Sequence, residues 1–69
     1  MEDKDKIKAF DLLLKYEINI RFFRYCCDKR RGLHVFNQGR SDDNKLNYED
    51  YMFLRKVIYE NNWLQRKIH

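Results

Sequence analysis

Glu17-Ile18-Asn19-Ile20-Arg21-Phe22 is the stretch on which the fold turns. Read at a period of two, it alternates polar and apolar, the pattern of a half-buried strand. Read at three to four, Ile18 and Phe22 belong to a longer series, Ile7, Phe10, Leu14, Ile18, Phe22 and Tyr25, which marks one face of a helix. The end signals fit the helix. Asp3 and Asp5 stand at the positive end of its macrodipole and Lys29-Arg30-Arg31 at the negative end. Gly32 can take the left-handed conformation that closes a helix. The helical series is the longer of the two, so the sequence predicts one helix from about Asp3 to Arg31. The alternative breaks this helix near Tyr16. It pairs the alternating stretch with Leu33-His34-Val35-Phe36 and gives an α-β-β-α order, an α+β fold.

Asn37-Gln38-Gly39-Arg40-Ser41-Asp42-Asp43-Asn44 is turn chemistry throughout. A second helix is expected from about residue 47 to residue 67. Asn47 suits its N-cap, Asp50 stands at the third helical position, and Leu46 with Tyr51 can form a hydrophobic staple. Glu49 and Asp50 match its positive end, and Arg66 and Lys67 its negative end. Leu54, Val57, Asn61, Leu64 and Ile68 form a short seam in which Asn61 is the polar member. The expected architecture is all-α: a hairpin of two helices in a single small domain, joined by an irregular connection over residues 32–46. Dimerisation or a partner would complete it.

At 69 residues, a folded chain buries only about 60% of its unfolded surface. Small domains often need a staple beyond their core. The two cysteines, Cys26 and Cys27, are adjacent and cannot readily bond to each other. Unpaired thiols suit a reducing compartment such as the cytoplasm. No apolar run approaches a membrane span, and Met-Glu-Asp-Lys-Asp-Lys lacks the apolar segment of a secretory signal. Eleven aromatics are hard for two helices to bury within one subunit, which points to an interface. Phe, Tyr, Met, Ile, Asn and Lys make up 31 of the 69 residues; their codons are AT-rich, which fits, among other sources, a small phage or viral gene.

The charge is uneven. Residues 1–20 carry a net −1, residues 21–40 a net +5 and residues 41–69 a net 0. The surplus therefore lies in Arg21, Arg24, Lys29, Arg30, Arg31 and Arg40. On a continuous helix Arg21, Arg24 and Arg31 share a face. Such a surface suits phosphate or an acidic protein, and Phe22, Phe23 and Tyr25 among the arginines suit stacking on exposed bases. The competing reading is internal: a hairpin would bring Asp42, Asp43, Glu49 and Asp50 close enough to neutralise the cations.

Three constellations bear on chemistry. Cys26, Cys27, His34 and His69 are the available soft metal ligands, but adjacent cysteines diverge on a helix and the spacing fits no zinc pattern. Either thiol with His34 would make a nucleophilic pair, yet nothing supplies an oxyanion hole or a deep pocket. The stretch from Ser41 to Tyr51 resembles the outgoing half of an EF-hand, with Asp43, Asn44, Leu46 and Asp50 at loop positions five, six, eight and twelve. Its first anchors are missing, with Gly39 and Ser41 at positions one and three, and Asp50 replaces the bidentate Glu.

The resulting expectation is a small non-enzymatic interaction protein, a regulator or inhibitor that needs no metal or cofactor. It docks on another macromolecule, by preference a protein. The expected partner-binding residues are Arg21, Arg24, Lys29, Arg30, Arg31 and Arg40 together with Tyr51, Tyr59 and Trp63, because aromatics and arginine dominate binding hot spots. The alternatives are a dimeric nucleic-acid-binding regulator using residues 21–40, and a degenerate EF-hand-like calcium or structural module. No membrane partner is expected.

Overall fold

A computed structural model describes residues 3–61 of the chain. The fold is all-α. The described residues form four helices: α1 over Asp3–Lys15, α2 over Ile20–Cys27, α3 over Gly32–Asn37 and α4 over Tyr48–Asn61. A 3-10 turn covers Asp42–Asn44, and no strand occurs among the described residues. The α-β-β-α alternative is therefore set aside.

The rod expected from Asp3 to Arg31 is broken between Lys15 and Ile20, so the two-helix hairpin becomes four helices. The break has two causes, set back to back. Glu17 takes a left-handed φ of 52°. Around it the Ile18 amide donates to the Leu13 carbonyl at 2.9 Å and the Glu17 amide to the Leu14 carbonyl at 3.2 Å. This paired closure satisfies carbonyls that a continuing helix would have used. Asn19 then starts α2: its backbone is extended, and its side-chain oxygen accepts the Phe22 amide at 3.0 Å.

Gly32 does not close a left-handed turn. It is the buried first residue of α3, and a Cβ there would overlap the Cys26 carbonyl oxygen and the Tyr51 hydroxyl. α2 instead ends on Asp28 in a right-handed conformation. The glycine with left-handed φ, at 81°, is Gly39 in the following loop.

The core uses the other face of α1. Ala9, Leu12, Leu13 and Tyr16 are buried, whereas Ile7 is 61% exposed, Leu14 is 77% exposed, and Phe10, Phe22 and Tyr25 also face outward. α1 packs on α4 and α2 packs on α3. Phe23 joins the two pairs, its ring edge-on to Phe36 and to Tyr51 at 5.5 Å each. Leu54, Val57 and Ile58 complete the centre from α4. The end of α1 is tied to the first turn of α4 by the Tyr16 hydroxyl, which donates to Asp50 Oδ2 at 3.2 Å.

Asn47 caps α4 as expected, accepting the Asp50 amide at 2.7 Å. Leu46 and Tyr51 both enter the core. The connection over residues 32–46 is more ordered than expected. It contains α3 and the 3-10 turn, and the Asn37 side chain clamps it by donating to the Leu46 carbonyl at 3.0 Å and accepting the Leu46 amide at 2.9 Å. Of the proposed seam, Leu54 and Val57 are buried. The Asn61 side chain, Leu64, Ile68, Arg66 and Lys67 lie outside the described residues. Among the described residues no helix is long and apolar enough to cross a membrane.

Candidate functional site

α2 has a short, strongly divided surface. Phe23, Cys26 and Cys27 point into the core, while Arg21, Phe22 and Tyr25 point outward. Arg21 and Tyr25 are four residues apart, and so are neighbours on one helical face. The Phe22 and Tyr25 rings stack, with centroids 6.1 Å apart and planes 24° from parallel.

These two rings belong to a longer ladder. Lys29 Nζ lies 4.4 Å from the Tyr25 ring centre. On the other side, Phe22 meets Phe36 of α3 at 5.9 Å. Phe36 in turn lies 4.7 Å beneath the Arg40 guanidinium. The order Lys29, Tyr25, Phe22, Phe36, Arg40 thus puts a cation at each end of three rings, where the ring quadrupole attracts it. The sequence had already singled out Phe22 and Tyr25 for stacking; Phe23, grouped with them, is core.

The six expected cations divide into two kinds. Arg21, Lys29, Arg30 and Arg31 are exposed. Among the described residues, no ion pair joins any of these four to an acid. Arg24 and Arg40 are half-buried and structural. Arg24 lies 4.9 Å over the Tyr59 ring, whose other cation is Arg55 at 5.6 Å. Arg40 donates to the Tyr16 carbonyl through both terminal nitrogens and to the Glu17 carbonyl through one. Because α2 stops at Cys27, Arg31 does not share a helical face with Arg21 and Arg24; it follows Lys29 and Arg30 in the turn to α3.

Two of the acids that might have neutralised this surface are engaged elsewhere. Asp42 pairs with Lys45 at 3.1 Å, and Asp50 accepts the Tyr16 hydroxyl. Asp28, beside the patch, accepts the Tyr59 hydroxyl at 2.9 Å. The remaining aromatic candidates do not join the ladder. Tyr51 is buried, Tyr59 is half-buried against Arg24 and Asp28, and Trp63 lies outside the described residues.

The chemistry of the interior is quiet. Burial pushes both thiols up, with Cys27 adding to the shift at Cys26, so both stay protonated near neutral pH. His34 is exposed on α3 and lines an open groove of about 530 Å³ with Leu33, Asn37, Gln38, Gly39 and Lys45, a lining that includes neither thiol. No cluster of three His, Cys, Asp or Glu side chains suited to a metal ion occurs among the described residues. In the EF-hand-like stretch, Asp43 and Asn44 lie in the 3-10 turn, Leu46 is core, and the Asp50 carboxylate is tied to Tyr16.

Comparison with protein-family models, with curated proteins and with solved structures found no match.

Proposed function

We propose that this chain is a small non-enzymatic binding protein that docks on another macromolecule and modulates its activity. The docking surface is the outer face of α2 with the turn that follows it. One observation carries the reading: Arg21, Lys29, Arg30 and Arg31, four exposed cations with no acidic partner among the described residues, lie on α2 and its following turn with two outward-facing stacked rings. Like-signed charge of this kind raises the local concentration of an anionic partner and speeds its encounter. Outward aromatics beside arginine then supply the contacts that hold it. Protonated, buried thiols support a non-catalytic role. An acidic protein face and a nucleic-acid backbone both meet the charge requirement.

Retention on immobilised heparin, a generic polyanion, tests the surface. The variant Lys29→Ala/Arg30→Ala/Arg31→Ala should elute at clearly lower salt than the parent chain. The control Lys6→Ala/Lys15→Ala/Lys56→Ala removes the same charge elsewhere and should elute close to the parent. Equal shifts for the two variants would mean that net charge alone sets retention, and the proposed surface would be wrong.

A further inference from the structure

We infer that the partner taken by this surface is single-stranded nucleic acid, read without sequence preference; the inference rests on the docking surface proposed above. The argument begins at the end of the ladder. Phe22 stacks on the Tyr25 ring, and the ammonium of Lys29, an exposed side chain on a flexible stem, lies 4.4 Å from the centre of that ring. Tyr25 itself is 53% exposed. An unpaired base can displace that ammonium, stack on Tyr25 and extend the ladder by one ring, while Lys29 moves to the adjoining phosphate. Every base has a flat face, so such stacking is tolerant of sequence.

The charges are placed for the strand on either side. Arg21 lies one helical turn before Tyr25, and Arg30 and Arg31 follow Lys29 in the turn. None of them is neutralised by an acid among the described residues. A duplex keeps its bases stacked on one another and offers Tyr25 no base face, so it engages only the charges. A protein partner fits less well. Among the described residues, the second aromatic face expected for it is not displayed, since Tyr51 is buried and Tyr59 is tied to Asp28.

The test uses the full chain and a fluorescein-labelled oligothymidylate of about 12 nucleotides, followed by anisotropy at low salt. Binding should weaken with a log–log salt slope of about −2 to −3, as three or four phosphates release their counterions. Tyr25→Ala should weaken it roughly tenfold, whereas Tyr25→Phe, which keeps the ring, should bind like the parent. A duplex of the same sequence should bind more weakly and be indifferent to Tyr25→Ala. Circular dichroism checks that each variant keeps its helices. If Tyr25→Ala binds the oligonucleotide like the parent, or the duplex binds as well as the single strand, stacking is refuted. If the oligonucleotide does not bind while heparin retention still depends on Lys29, Arg30 and Arg31, the partner is an acidic protein and this inference falls alone. If heparin retention is independent of them as well, the docking surface falls with it.

Discussion

Arg40 reaches back 24 residues in sequence to donate to the Tyr16 carbonyl, while its guanidinium lies 4.7 Å over Phe36. One side chain therefore secures the end of α1, the loop after α3 and the inner end of the aromatic ladder. Arginine suits this place because its planar fork can bond and stack at once. Arg40→Ala should cost about 2 kcal/mol in urea unfolding, the scale of losing charged hydrogen bonds to a backbone oxygen. Arg40→Lys should recover only part of that. If Arg40 were instead a free contact residue, both variants would unfold like the parent.

The break between α1 and α2 makes opposite demands on two neighbours. Asn19→Ala removes the side-chain acceptor of the Phe22 amide and should destabilise the chain by about 1 kcal/mol. Glu17→Gly relieves a left-handed φ of 52° and should stabilise it by up to about 1 kcal/mol. A continuous helix through this region would reverse the second sign, since glycine weakens a helix interior. Thermal melts of the two variants settle the matter.

Gly32 is held by lack of space. A Cβ would meet the Cys26 carbonyl and the Tyr51 hydroxyl, so Gly32→Ala should cost about 1–3 kcal/mol although alanine is the better helix former. An unchanged urea midpoint would mean that α3 can move away from α2 freely.

Alkali should unfold the chain earlier than a protein without these buried groups. Burial pushes the Cys26 and Cys27 thiols above their ordinary value of about 9, and burial together with Cys27 pushes the Tyr51 hydroxyl up to about 12. Between those limits the unfolded chain has lost protons that the folded chain retains, so stability falls as pH rises. Melting temperature should decline from about pH 9 upward. Tyr51→Phe should flatten the decline above pH 10, where the ordinary tyrosine would ionise. A parallel decline in both proteins would assign the effect to other groups.

Much of the helix chemistry is legible in the sequence. Asn47 caps its helix, Asp3 and Asp5 open theirs, and the fold is all-α. The rod failed because periodicity reports a stripe without saying which way it faces. Ile7, Phe10 and Leu14 form such a stripe, but Ala9, Leu12, Leu13 and Tyr16 form another on the same helix, and that one meets α4. The helix end was masked because glutamate, rather than glycine, occupies the left-handed position. Asn19 was the legible signal, since asparagine before an apolar run is a good N-cap. In the site, the cations were found by composition alone. Which of them are structural depends on contacts from distant segments, such as Arg40 with Tyr16 and Arg24 with Tyr59, and no local pattern encodes these.

The central claim is that one surface, α2 and its following turn, does the binding. Amide chemical shifts of the isotope-labelled chain, followed as the oligothymidylate or a short heparin fragment is added, test it most directly. The account expects the largest changes at Arg21, Tyr25, Lys29, Arg30 and Arg31, with α1 unmoved. Changes centred instead on Ile7, Phe10 and Leu14, the exposed apolar face of α1, would contradict it.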